Sequence, residues 1–215
     1  MGLRTRSPTI WSRYRRPYMI LTLRKWGRPA DGFTAVIVLL LLVCAGAHAD
    51  GLSEKVKICT ECHGAAGSPS RPDIPIIWGQ EFYYLYVQLK DYKAGRRRNA
   101  KMSKIVATLS KQEMRGLAQH FSSQPWPSIE FAAESTDIAR GETATAAGLC
   151  TQCHLGGYEG SSRIPRLAGQ QAGYLERTML EFKNKTRMNS PAKASLTASY
   201  EEEDIAAMAR YLAGY

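Results

Sequence analysis

Histidine is scarce in this 215-residue chain, with four residues, and cysteine is little commoner, with five. So few imidazoles and thiols exclude a histidine-rich metal site and a dense disulfide framework. No Ser/His/Asp set, glycine-rich phosphate loop or paired-carboxylate pocket can be read from the chain, so nothing argues for separate catalysis. Long apolar runs are also few. The one run of note lies at 33–47 and falls short of the ~20 residues that span a bilayer comfortably.

The charge is unevenly placed. The formal net charge is +10, yet residues 1–49 hold eight Lys/Arg against the single acidic Asp31. Removing that segment leaves 21 basic and 18 acidic side chains. Only Arg96-Arg97-Arg98 then remains as a basic cluster, with no stripe of interleaved aromatics, so a nucleic-acid partner is not expected. A basic start, the apolar run and Ala47-His48-Ala49 before Asp50 read together as a signal peptide over 1–49, implying export. Met19 is an alternative start, and an uncleaved anchor is the alternative fate. Cys44 follows Val43, where a lipoprotein site would need a small residue.

What is present is concentrated. Four of the five cysteines and two of the four histidines form Cys59-Thr60-Glu61-Cys62-His63 and Cys150-Thr151-Gln152-Cys153-His154. Cys-x-x-Cys-His is the attachment pattern of c-type haem. The two thiols add across neighbouring vinyl groups, and the adjacent imidazole reaches the iron as proximal ligand. A shared zinc site would use four sulfurs but leaves the histidine after each pair unexplained. A thioredoxin-like redox pair needs a βαβ pattern that is missing. Structural disulfides remain the third alternative, in an exported chain.

The motifs belong to a repeat. Pro75, Gly79, Gln80, Tyr84 and Leu85 correspond to Pro165, Gly169, Gln170, Tyr174 and Leu175. Arg97 corresponds to Arg187. Met114, Ala118 and Phe121 correspond to Ile205, Ala209 and Leu212. The chain divides into a signal segment 1–49, a first domain 50–122, a linker 123–136 containing Pro125-Trp126-Pro127, and a second domain 137–215. Each domain is small enough to need a staple beyond its own core, and covalent haem would supply one.

Each half reads as three helices: one entering the motif (Leu52–Cys62 and Ile138–Cys153), one after Gly79 or Gly169, and a last one. Phe82, Leu85, Tyr86, Leu89 and Tyr92, or Leu175, Met179 and Phe182, fall at helical spacing. The last helices are expected to be capped by Ser110 with Glu113 and by Ser199 with Glu202. Met114, Leu117, Ala118 and Phe121, and Ile205, Met208, Ala209 and Leu212, form their apolar faces. The tyrosines of Phe82-Tyr83-Tyr84-Leu85-Tyr86 read as core aromatics flanking the haem rather than as an electron-hopping chain.

After the two motif histidines, only His120 remains beyond residue 49, and its position reads as packing. The sixth iron ligands therefore fall to methionine, whose thioether favours ferrous iron. Met114, Met179 and Met208 lie on apolar helix faces, whereas Met102 lies in the loop after Arg96–Asn99.

The arrangement resembles the dihaem cytochromes c4, built of two tandem class I cytochrome c domains. The resemblance covers nearly all of Asp50–Tyr215. It rests on the two haem motifs, Pro165-Arg166-Leu167-Ala168-Gly169-Gln170, Tyr174-Leu175 and Ala209-Arg210-Tyr211-Leu212. It implies an all-α fold and two covalently bound haem c groups held by Cys59, Cys62, Cys150 and Cys153. His63 and His154 would be proximal ligands, oriented by the carbonyls of Pro75 and Pro165. Met102 stands seven residues before Leu109-Ser110, as the family methionine does. The second half departs from that pattern: Lys193 or Ala194 occupies the corresponding place, and Met188 lies five or six residues earlier. Either Met188 reaches the iron through a redrawn loop, the reading favoured here, or the second haem has an unusual or open site. Arg97 and Arg187 are expected to pair with haem propionates.

The expected function is a periplasmic carrier of single electrons, soluble or membrane-associated, and not an enzyme. The resemblance implies a quinol–cytochrome c oxidoreductase as donor and a terminal oxidase as acceptor. The alternatives are an electron-transfer subunit of a periplasmic dehydrogenase complex and, with an open iron, a dihaem peroxidase or gas-binding protein.

Overall fold

The computed structural model describes residues 51–215, so the expected signal segment with its apolar run, Cys44 and Met19 lies outside the described residues. The fold is helical: α1 (51–63), α2 (Phe82–Lys93), α3 (Ala100–Ala107), α4 (Lys111–Ser122), α5 (Ser135–Ala147), α6 (Thr151–His154), α7 (Ala172–Lys183), α8 (Pro191–Thr197) and α9 (Glu202–Ala213). The sole β feature among the described residues is an isolated bridge between Ser161 and Ile164.

The expected apolar faces build the cores. Met114, Leu117, Ala118 and Phe121 of α4 are buried with Leu85, Val106 and Leu109, and Leu52, Val56 and Cys59 of α1 pack onto that cluster. In the second half Leu175, Ala209 and Leu212 gather with Tyr158 and Ala168, while Ala144, Ile205 and Met208 form an adjoining cluster. Each large aliphatic or aromatic side chain so buried contributes about 1.5–3 kcal/mol. Helix α5 crosses α9 at a point where only glycine fits, because a Cβ on Gly141 would stand 2.5 Å from both the Ala207 carbonyl oxygen and Tyr211 Cβ. Arg210 grips Asp137 through two bonds of 2.6 and 2.9 Å, and Arg140 Nε reaches Asp204 at 2.7 Å, fastening the same pair of helices.

Several helix boundaries differ from the sequence expectation. Helix α4 starts as expected, with Ser110 and Glu113 in a reciprocal capping box. In α9 the box is Glu201 with Asp204, not Ser199 with Glu202. Glutamate lacks the usual preference for an N-cap, so the serine signal drew the expected start two residues too early. The helix entering the second motif is broken: α5 ends at Ala147, Leu149 takes a left-handed φ of 52°, and the four-residue α6 follows. The Tyr200 hydroxyl donates to the Ala144 carbonyl at 3.0 Å and lies where a side chain on residue 148 would go. Each half also carries a short helix where the sequence pattern gives only a loop, α3 and α8, and Met102 is the third residue of α3.

The stretch between the halves is packed. Gly79 and Gly169, both left-handed with φ of 64° and 68°, sit against Trp126, whose indole also lies 4.8 Å below the Arg166 guanidinium. A side chain at Gly79 would strike the Trp126 backbone at 2.7 Å. The same glycines donate their N–H groups to Phe121 and Leu212, at 2.8 and 2.9 Å, tying each loop to the last helix of its own half.

Candidate functional site

Both motif histidines are held in the same way. His63 Nδ1 lies 2.8 Å from the Pro75 carbonyl oxygen and His154 Nδ1 lies 2.9 Å from that of Pro165. A carbonyl only accepts, so each Nδ1 carries the hydrogen and each Nε2 keeps a free lone pair. Burial pushes the His63 imidazole below its ordinary pKa, with the Pro75 bond opposing and the Arg97 charge assisting. Burial takes His154 down to about 4, with the Pro165 bond opposing and Lys193 assisting. Both rings are therefore neutral near pH 7, the form that can coordinate iron.

The proline loops are themselves clamped, each by the opposite half. Gln170 accepts from Ile76 N–H at 2.7 Å and donates to the Ile76 carbonyl at 3.0 Å. Gln80 does the same to Arg166, at 2.8 and 3.0 Å. Ile76 and Arg166 directly follow the two prolines, so each glutamine fixes the carbonyl that aims the other half's histidine. Both glutamines are visible in the sequence as repeat positions, but this role is not. No local pattern marks a side chain whose partner lies 94 or 86 residues away.

Among the described residues no disulfide joins the four motif cysteines, of which Cys59, Cys62 and Cys150 are half-buried and Cys153 is exposed. Burial, aided by the neighbouring Cys62, raises the Cys59 thiol to about 11, and burial also raises Cys150. Among the described residues no group of three His, Cys, Asp or Glu side chains is arranged to hold a metal ion, against the shared-zinc alternative. His120 stacks edge-on against Phe121 at 5.0 Å, a packing role.

Arg97 and Arg187 come together between the halves. They are 5% and 2% exposed, and both donate to the same acceptor, Gln88 Oε1, at 3.0 and 2.8 Å. Arg97 also donates to the Tyr174 hydroxyl at 3.1 Å, and Arg187 Nε donates to Asn189 at 3.0 Å. Among the described residues neither guanidinium is paired with a carboxylate, and Arg187 Nη1 is buried without a partner. Burial would raise the Tyr174 phenol, but the charges of Arg97 and Arg187 outweigh it and pull it well below its usual range. Asn189 links this cluster to the buried Asp91 carboxylate at 2.8 Å, yet two buried cations with no carboxylate in direct contact are costly. Propionate carboxylates at this place would supply the missing charge, and the indole Nε1 of Trp78, also buried and unpartnered, is a further waiting donor.

The sixth-ligand candidates part company. Met102 is half-buried, packs onto the first core, and has its backbone N–H held by the Asn99 side chain at 3.0 Å. Met188 is 60% exposed. Lys193 is half-buried, its Nζ 5.6 Å from the Phe182 ring and 6.0 Å from the Tyr84 ring. Burial and the nearby Arg187 charge lower its pKa to about 8.

Neutral imidazoles with a free Nε2, thiol pairs beside them and buried cations awaiting carboxylates all fit a covalent haem in each half. Fold and motifs thus define a c-type cytochrome with two haem sites. The family model described as Cytochrome c matches residues 138–214. A cytochrome c4 of Pseudomonas aeruginosa is 33% identical over 196 residues, covering 83% of this chain and 96% of that protein. A thiosulfate dehydrogenase electron acceptor of Stutzerimonas stutzeri is 30% identical over 181 residues, covering 76% of this chain and 81% of that protein. The crystal structure of reduced recombinant cytochrome c4 from Pseudomonas stutzeri superposes with a TM-score of 0.70 at 30% identity, covering 77% of this chain and 97% of that one.

The chain belongs to the cytochrome c4 family. It is a dihaem electron-transfer protein with covalently bound haem c, a carrier rather than an enzyme. Among the described residues no helix is long and apolar enough to cross a membrane.

Proposed function

We propose that this protein carries single electrons in the periplasm from a membrane quinol-oxidising complex to a terminal oxidase. The observation that carries the reading is the paired His–Pro geometry, which leaves one free imidazole nitrogen beside each thiol pair. Cys59 and Cys62 attach one haem and Cys150 and Cys153 the other, within domains 50–122 and 137–215 joined by 123–136. His63 and His154 are the proximal ligands, oriented by Pro75 and Pro165. Met102 is the sixth ligand of the first iron, and Arg97 and Arg187 bind propionates. The bound haems supply the one-electron ferric/ferrous couple. The chain supplies ligands, burial and a docking surface for weak, transient encounters.

The test uses the purified dihaem protein, with two covalent haems confirmed, mixed with membranes energised by quinol. Reduction of both haems followed by oxidase-dependent reoxidation supports the reading, and failure of reduction under these conditions overturns it. A second reading, acceptor for a periplasmic dehydrogenase, is favoured by the likeness to the thiosulfate dehydrogenase electron acceptor. Reduction by that purified enzyme and its substrate, but not by membranes, would select it.

A further inference from the structure

Lys193 stands in the second half where Met102 stands in the first. Each is the third residue of the short helix before the last one, α8 beginning at Pro191 and α3 at Ala100. The register is pinned on the C-terminal side by two equivalent bonds, Lys93 Nζ to the Leu109 carbonyl and Lys183 Nζ to that of Tyr200. Met102 precedes Leu109 by seven residues, and Lys193 precedes Tyr200 by seven. On the N-terminal side Arg97 lies 4.7 Å over Tyr92 and Arg187 lies 4.5 Å over Phe182. Counted from those arginines, Met188 corresponds to Arg98, and both are exposed. The second loop is one residue longer, and the extra residue falls before Pro191, so the register is recovered on entering α8.

The lysine side chain is directed inward. Its amine lies against Phe182 and, from the other half, Tyr84, and makes no ion pair among the described residues. It is near enough to His154 and Cys153 for charge to be felt between them. A half-buried ammonium beside two guanidiniums, with no carboxylate paired to it among the described residues, has little reason to be there as a structural cation.

We propose that Lys193 supplies the sixth ligand of the second haem iron through its amine nitrogen, in place of the thioether that Met102 gives the first. The inference rests on the haem sites proposed above. Forming the bond releases one proton from the ammonium to solvent, and the nitrogen lone pair becomes the iron–nitrogen bond, with no change of oxidation state. An amine lacks the preference of a thioether for ferrous iron, so the second haem takes the lower potential of the two.

The experiment compares the dihaem holoprotein with Met188→Ala, Lys193→Met and Lys193→Ala variants. Haem is counted in each by its alkaline pyridine spectrum. The ferric red-edge methionine–iron band is then measured per chain, and CO binding is measured after reduction. The expected wild-type band corresponds to one haem, is unchanged in Met188→Ala, and doubles in Lys193→Met. Lys193→Ala is expected to bind one CO per chain where the wild type binds none. Halving of the band by Met188→Ala overturns the proposal. So does a Lys193→Ala protein that binds no CO, which would make Lys193 a propionate partner. Fewer than two haems in the wild type would instead defeat the haem reading itself.

Discussion

Gln170 holds Ile76 by both of its backbone polar groups from 94 residues away, and the glutamine is only 2% exposed. Replacing it with Leu would leave a buried N–H and a buried C=O unpaired. Each orphan costs about 1–3 kcal/mol, so Gln170→Leu should destabilise the protein by about 2–6 kcal/mol. Because the clamped carbonyl next door aims His63, the first haem's spectrum and potential should shift more than the second's. Thermal melts with a redox titration check this. An unchanged first haem would reduce the glutamine to a purely structural tie.

Arg187→Gln removes a positive charge from the place where propionates are expected. A nearby cation favours the electron-rich ferrous state, so its loss should lower at least one midpoint potential. The site is buried, so the shift should survive added salt, which screens exposed charges. Potentiometry at low and high ionic strength reads both effects, and a rise in potential would contradict the assignment.

Gly148→Ala would drive a methyl carbon to 2.5 Å from the Tyr200 hydroxyl, which bonds Ala144. Overpacking of this kind costs about 1–3 kcal/mol. Adding Tyr200→Phe removes the clashing oxygen, so the double variant should lose less than the sum of the single losses. Additive losses in denaturant titrations would show that the two do not touch.

The clamp between α5 and α9 sets an acid limit. Arg210 holds the Asp137 carboxyl below its ordinary pKa, and Arg140 does so for Asp204. Carboxylates depressed in this way stabilise the fold above the unfolded value near 4, and that stability is lost as pH falls through their lower folded values. The melting temperature of the wild type should therefore drop on acidification through this window. Asp137→Asn with Asp204→Asn should melt lower at neutral pH and show a shallower acid decline. Parallel curves for the two proteins would refute this source of acid sensitivity.

The features legible in sequence were those fixed by neighbours. Cys59 to His63 and Cys150 to His154 announce their chemistry within five residues, and the faces of α4 and α9 announce theirs by period. What escaped depended on tertiary neighbours. The break before α6 follows from Tyr200 lying across Gly148, and the Glu201 cap replaced a serine that looked better locally. Helices α3 and α8 are too short to show a period, so counting along the chain left Lys193 and Ala194 both open opposite Met102, and the helix starts single out Lys193. The roles of Gln80 and Gln170 required knowing which loops meet.

The glutamine clamps carry a consequence for symmetry. Gln80 grips the residue after the second proline, and Gln170 grips the residue after the first, so one patch is used twice with its partners exchanged. That reciprocity is the mark of an isologous contact, the kind made by two identical subunits about a twofold axis. The present chain thus reads as two copies of one domain joined end to end, meeting as a symmetric pair of separate subunits would.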